Sequence, residues 1–105
     1  MDSNLHAELI EKCEKAIKDA MRESTEDYIE GKSRTAWTII ADCSYSGAYM
    51  ARKDWNSSYI DLSRVCEENR WQDLGNIMAS YSVEFFTLEQ IATLMAQAIL
   101  TFENE

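Results

Sequence analysis

The stretch from Thr35 to Trp55 constrains the fold most, because it is the most continuous apolar segment of this 105-residue chain. It reads TAWTIIADCSYSGAYMARKDW, and more heavily charged segments lie on both sides of it. Wound as a helix, it has apolar residues on more than one face, which is typical of an element covered by neighbours on several sides. We therefore predict that this stretch forms a central helix.

A β-hairpin is the alternative for the same stretch. The run from Trp37 to Ile40 has β-favouring side chains, and the residues from Ser44 to Gly47 suit a turn. We prefer the helix because the apolar–polar alternation is poor and several alanines favour helix. An α+β fold with a small hairpin within residues 35–50 is therefore the second interpretation.

The flanking segments carry helical patterns. Residues 4–30 repeat apolar side chains at three- and four-residue steps, and three glutamates there lie four residues before a lysine. Thr87 and Gln90 form a capping box that begins a last helix. The weaker boxes of Ser58 with Asp61 and Asn69 with Gln72 predict two shorter helices, followed by an extended connector from Tyr81 to Phe86.

The fold class follows from these elements and from the breaker residues. The chain has no proline and only three glycines, which disfavours loop-rich β architectures. Its length fits a single domain over residues 1–105. We predict an all-α protein, a compact bundle of four to five helices.

Charge is spread unevenly along the chain, whose net charge is −9. Residues 1–30 hold nine acids and four bases, residues 31–70 hold five acids and six bases, and residues 71–105 hold five acids and no base. Acidic ends disfavour direct nucleic-acid binding and favour a partner protein with a basic surface. The excess charge also serves solubility.

Metal, cofactor and catalytic signatures are missing from the sequence. One histidine and three widely spaced cysteines do not give the close ligand pairs of a zinc site. There is no phosphate-binding glycine loop, dinucleotide fingerprint or nucleophile elbow. We predict no metal, no cofactor and no enzymatic activity.

Localisation is predicted from what the sequence lacks. The N-terminus MDSNLHAELIEK does not have the pattern of a secretory signal, and no apolar run is long enough to span a membrane. An odd number of scattered cysteines favours a reducing compartment. The predicted location is the cytoplasm.

The predicted partner-binding residues lie where acids are not matched by lysines. Acidic steering followed by aromatic anchoring is a common way to bind a basic protein. The arginine–tryptophan pairs 34/37 and 52/55, which are 18 residues apart, could stack guanidinium on indole on one side of a continuous helix. We favour a coincidental repeat, with both tryptophans in the core and both arginines at its edge. The predicted partner-binding residues are Glu23, Glu26, Asp27, Tyr28 and Glu30, and the possible aromatic or basic contacts are Arg34, Arg52 and Trp55.

In size, acidity and lack of catalytic motifs, the chain resembles nuclease-immunity proteins and phage-encoded inhibitors of host defence, including anti-CRISPR proteins. This resemblance is one of composition, without a shared motif. It implies a small acidic module that occupies the surface of a partner such as a nuclease or a host-defence complex. The alternative is a non-catalytic helical subunit that self-associates or scaffolds a complex.

Overall fold

The computed structural model describes residues 3–44, 46–66 and 76–105, with side chains from residue 6 onward, and shows an α+β fold. The chain forms one helix, then a four-stranded antiparallel sheet, then a second helix. The order of the strands in the sheet is their order in the chain. The elements are α1 (Ser3–Ile29), β1 (Thr35–Cys43), β2 (Gly47–Asp54), β3 (Tyr59–Cys66), β4 (Asn76–Ser82) and α2 (Leu88–Glu103).

Both helices pack on the same face of the sheet. The Thr38 hydroxyl of β1 donates to the Ala16 carbonyl of α1, and the Tyr49 ring of β2 meets Phe102 of α2 edge-on at 6.5 Å. Thr38 pairs with Ala51, which lies on the same side of β2 as Tyr49. The main core therefore lies between this face and the two helices, in a two-layer arrangement.

The prediction of an all-α bundle of four to five helices is wrong. The stretch from Thr35 to Trp55 is a hairpin, β1 and β2, rather than a central helix. This hairpin is half of a larger sheet that extends to Ser82, so it is not an isolated feature within residues 35–50. Pairing with neighbouring strands outweighs the helix propensity of the alanines, because strand formation depends on cross-strand packing more than on local propensity.

A β-bulge explains why the alternation in β1 looks poor. The pairing with β2 shifts between Ile39 and Ala41, so the core-facing positions change phase at Ile40. Ala36 and Ile40 are buried before the shift and Cys43 after it. A strict period of two over the whole strand is consequently absent from the sequence.

The helix predicted after Ser58 is also wrong, because residues 59–66 form β3. Ile60 and Leu62 are fully buried and alternate with Asp61 and Ser63, a period-two signal that is visible in the sequence. The first part of the helix predicted from Asn69, up to residue 75, lies outside the described residues. The rest of its predicted span, from Asn76 onward, is strand β4.

The two terminal helices form where their local signals indicate. In α1, the buried residues Cys13, Ile17, Ala20 and Ser24 lie on one stripe that packs on the sheet and α2. The capping box of Thr87 with Gln90 is present at the start of α2. None of the three predicted glutamate–lysine pairs of α1 occurs among its described residues; Lys15 pairs with Asp19 instead, at 2.7 Å.

No helix within the described ranges combines the length and the apolar character needed to cross a membrane.

Candidate functional site

The sheet brings several chain segments together at one of its ends. Thr35 at the start of β1 pairs with Asp54 at the end of β2, and Tyr59 at the start of β3 pairs with Ser82 at the end of β4. Backbone hydrogen bonds from Trp55 N to Arg34 O, 2.6 Å, and from Val83 N to Ser58 O extend this alignment beyond the strands. The loops at this end are therefore neighbours.

Most of the exposed large apolar side chains lie at this end. Among the described residues, six of the eight exposed side chains of this kind belong to the end of α1, the β2–β3 turn with the start of β3, and the segment before α2. The other two, Ile39 and Ile77, lie within β1 and β4. We call this group the aromatic end; its members are Tyr28, Ile29, Trp55, Tyr59, Phe85 and Phe86.

Tyr28 and Trp55 stack face to face at this end of the sheet. Their ring centroids are 3.6 Å apart and the ring planes differ by 9°. Both rings are still partly open to solvent, Tyr28 at 42% and Trp55 at 39%. The stack ties the last turn of α1 to the β2–β3 turn and presents two π systems at the surface.

The end of α1 is shaped by Gly31, whose φ of +74° lies in the left-handed region that glycine adopts without strain. Its N–H donates to the Tyr28 carbonyl, and Lys32 N–H donates to the Asp27 carbonyl. The chain turns away from the helix axis here and leaves a cleft of about 290 Å³ beside the Tyr28 ring. The cleft is lined by Tyr28, Gly31, Lys32, Ser33 and Arg34.

Carboxylates outnumber basic groups around the aromatic end. Lys32 pairs with Glu30 at 2.7 Å, and Arg34 lies 3.7 Å from Asp54. Partial burial alone would raise the pKa of Asp54, but hydrogen bonds from Asn56 N–H and the Thr35 hydroxyl, together with Arg34, hold it below the ordinary value. The acids of this end are Glu26, Asp27, Glu30, Asp54, Glu84 and Glu89, and its bases are Lys32, Lys53 and Arg34.

The acidic residues that were predicted to bind a partner form more ion pairs within the chain than expected. Arg22 lies 3.8 Å from Glu23 and 3.7 Å from Glu26, and Glu30 binds Lys32. The prediction of an unpaired cluster is therefore wrong for these three glutamates. Asp27 precedes Tyr28 directly, and its backbone carbonyl holds the turn after α1.

Of the three predicted aromatic or basic contacts, Arg34 and Trp55 lie at the aromatic end, and Arg52 does not. The Arg52 guanidinium lies 5.5 Å from the Trp37 ring and 2.7 Å from Asp61, on the sheet face opposite the helices. The alternative in which Arg52 stacks on the tryptophan three residues later is not what the structure shows, because Arg52 lies in β2 and contacts Trp37 of the neighbouring strand β1.

Sequence reasoning did not identify Ile29, Tyr59, Phe85 or Phe86 as part of a site. These residues come from three segments that meet only through strand pairing, so no local pattern joins them. Two of them, Phe85 and Phe86, are adjacent aromatics in a turn, which is the signal that the sequence does contain. A groove of about 610 Å³ begins at Phe86 and follows the outer side of α2 to Gln97.

Within the described residues, no group of three or more metal-binding side chains converges. Cys13, Cys43 and Cys66 are buried and free. Burial, with the nearby Glu14 carboxylate, raises the pKa of Cys13 to about 12, so this thiol is protonated at neutral pH.

Comparison of the chain with models of protein families, with curated proteins and with solved structures gives no match.

Proposed function

We propose that this chain is a small acidic protein-binding module that docks on a basic surface of a partner protein through the aromatic end. In this proposal it acts as an inhibitor or immunity-type protein in the cytoplasm, and its partner is a nuclease or a host-defence complex. The observation that carries the proposal is the gathering of six exposed large apolar side chains at one end of the sheet.

The composition of the aromatic end supports a binding role. Tyrosine, tryptophan and phenylalanine are enriched in protein interfaces, and residues that dominate binding energy cluster near the interface centre. The Tyr28–Trp55 stack holds two such rings in fixed positions, so less side-chain freedom is lost when a partner binds. Exposed apolar groups with a polar rim are typical of interaction sites.

The charge of the molecule supports a basic partner. The net charge is −9, and the acids of the aromatic end add a local negative field to its apolar contacts. Opposite charges speed the encounter of two proteins and exclude wrong partners. Nucleic acid, whose phosphates carry the same sign of charge, is disfavoured by the same field.

The experiment is affinity capture from the native host with the wild type and two variants. Trp55→Asp places a charge in the stack, and Ile39→Asp places the same charge on an exposed apolar position in β1, away from the aromatic end. Proteins captured by the wild type are identified by mass spectrometry, purified and titrated by calorimetry against all three chains. We expect Trp55→Asp to weaken binding at least about 30-fold, the loss of one central anchor, and Ile39→Asp to keep it. Equal binding by the three chains would contradict the proposal.

Self-association is the second candidate function, and one observation favours it. β1 is an edge strand of the described sheet, has no lysine or proline to discourage pairing, and carries Ile39 with 67% of its surface exposed. Two copies joined along β1 would form one continuous sheet. Light scattering at several concentrations decides this candidate: a dimer that Ile39→Lys dissociates supports it, and a monomer contradicts it.

A further inference from the structure

We infer that the Tyr28–Trp55 stack is the receptor for an arginine side chain of the partner protein. The inference rests on the proposed function and specifies its central contact: a guanidinium group lies against the exposed aromatic surface and is flanked by carboxylates.

The shape of the stack fits a flat cation. The two rings are nearly parallel, 9° apart, so each uses one face for the stack, and both residues keep about two fifths of their surface exposed. A guanidinium is planar and weakly hydrated, so it stacks on an aromatic face more readily than an ammonium does. The neighbouring cleft of about 290 Å³ lies at the lower limit of ligand pockets and has room for one extended side chain.

The charges around the stack have the sign that an arginine needs. Asp27 precedes Tyr28, and Asp54 precedes Trp55, so each ring has a carboxylate next to it in the chain. The last turn of α1 contains no basic residue, and the carboxyl-terminal end of a helix carries partial negative charge. Lys32 pairs with Glu30 and Arg34 pairs with Asp54, whereas no ion pair of Asp27 is found within the described residues, so Asp27 is the carboxylate open to an incoming guanidinium.

Within the described residues, the chain makes the same kind of contact at two places in its own fold. Arg52 lies 5.5 Å from the centroid of Trp37, and Arg64 lies 4.6 Å from that of Phe102. At the Arg52 contact a carboxylate, that of Asp61, accepts a hydrogen bond from the same guanidinium. The fold thus contains an example of a guanidinium bound by both an aromatic ring and a carboxylate. The aromatic end presents the ring and the carboxylates at the surface, and the guanidinium would come from the partner.

The test uses peptides as probes. An acetylated and amidated octapeptide of alternating glycine and arginine is titrated into the labelled protein, and the tryptophan indole N–H signals are followed by NMR. Two further octapeptides replace arginine by lysine or by citrulline, which keeps the shape of arginine without its charge. The protein variants are Trp55→Leu and Tyr28→Leu, with Ile39→Ser as the control, and thermal unfolding confirms that each variant is folded.

We expect the arginine peptide to shift the Trp55 indole signal in a saturable way. Each variant of the stack should weaken its binding by about 5-fold, the value of one cation–π contact, and Ile39→Ser should leave it unchanged. The lysine peptide should bind more weakly, and the citrulline peptide should bind at least about 10-fold more weakly. Citrulline binding as strong as arginine binding, or equal arginine binding by all variants, would overturn the inference.

The outcomes separate this inference from the proposed function. If Trp55→Leu loses the captured partner but still binds the arginine peptide as the wild type does, the aromatic end docks the partner and the arginine inference is wrong. If the arginine peptide binds at the stack but partner capture does not depend on Trp55, the proposed function is wrong and the cation-binding property stands.

Discussion

Lys53 is a charged side chain on the core face of the sheet, and only 6% of its surface is exposed. Its ammonium donates one hydrogen bond of 2.7 Å to the Asp54 carbonyl. Burial lowers the pKa of Lys53, and the Asp54 carboxylate opposes this shift only in part. The charged form therefore costs folding free energy at neutral pH.

We predict that Lys53→Met stabilises the protein by about 1 kcal/mol at pH 7, because an apolar chain of similar length replaces a buried charge. The folded protein releases this proton at a lower pH than the unfolded chain. The wild type therefore gains stability as the pH rises toward the ordinary lysine pKa of about 10.4, and the difference between the two proteins shrinks. Urea unfolding at pH 7 and pH 10 measures both effects.

Lys18→Met is the control, because Lys18 is an exposed lysine of α1. It should change stability by less than about 0.5 kcal/mol at either pH. A greater loss of stability in Lys53→Met than in Lys18→Met would show that the bond to the carbonyl outweighs the burial of the charge.

Glu103 fastens the last turn of α2 to the β1–β2 hairpin. The buried Tyr49 hydroxyl donates a hydrogen bond to its carboxylate, and the Ser44 hydroxyl donates another of 3.1 Å. The bond from Tyr49 is the main reason that the pKa of Glu103 lies below the ordinary value. Burial, together with this carboxylate, raises the pKa of Tyr49.

We predict that Tyr49→Phe destabilises the protein by about 1 to 2 kcal/mol at pH 7, since it removes a hydrogen bond to a charged acceptor and keeps the ring. A carboxylate with a lowered pKa stabilises the fold above the ordinary glutamate value of about 4.3, and this contribution disappears as the pH falls through the lowered pKa. The cost of Tyr49→Phe should therefore decrease in acid. Thermal unfolding from pH 7 to pH 3 follows it, with Tyr59→Phe, an exposed ring, as the control. An equal cost at both pH values would contradict the proposed role of Glu103.

At the scale of the elements, Gly47 is a position in β2 where the β3 backbone leaves no room for a side chain. A Cβ built at Gly47 would lie 2.0 Å from the Val65 carbonyl oxygen, which belongs to the backbone and has no freedom to turn away. A Cβ built at Gly31 would meet no atom within 4 Å, so the free-energy cost of a side chain there comes only from the positive φ of the residue. The two glycines are therefore required for different reasons.

We predict that Gly47→Ala costs about 3 kcal/mol, the upper range for forced overpacking, and that Gly31→Ala costs about 1 kcal/mol, the strain of a left-handed residue. Chemical denaturation of both variants measures the difference. If Gly31→Ala were the more damaging change, strand spacing at Gly47 would not be the limiting contact.

The helices could be predicted from sequence because their signals are local. In α1 the stripe of Cys13, Ile17 and Ala20 repeats within one segment, and the cap of α2 lies within four residues. The strands could not be predicted in the same way. Their faces depend on pairing with distant segments, and the bulge at Ile40 and the buried charge of Lys53 disrupt the alternation that would reveal them.

At the scale of the whole molecule, the sequence identifies part of the candidate site. Tyr28 and Trp55 are both among the predicted contact residues, and the fold stacks them although they lie 27 positions apart in the chain. Tyr59 and Phe85 were missed because only the antiparallel pairing of β2, β3 and β4 brings their segments to the same end. The sequence predicts the charge of each segment, whereas the local field also depends on ion pairs such as Arg22 with Glu26.

The location of charge leads to a last prediction, on the rate of association with the captured partner. Asp27 lies at the aromatic end, and Asp42 is an exposed acid near the other end of β1. Asp42 lies seven residue steps along β1 from Thr35, about 23 Å, which is more than twice the screening length of about 8 Å at physiological salt. A partner that approaches the aromatic end is attracted by Asp27 and hardly by Asp42.

We predict that Asp27→Lys slows association by about 3- to 10-fold at physiological salt, and that Asp42→Lys, with the same change in net charge, slows it much less. Stopped-flow mixing at increasing salt measures both rates, and the effect of Asp27→Lys should fade as the field is screened. Equal slowing by the two variants would show that net charge, rather than the field at the aromatic end, steers the partner. Dissociation rates should change less, because a rim charge acts mainly on encounter.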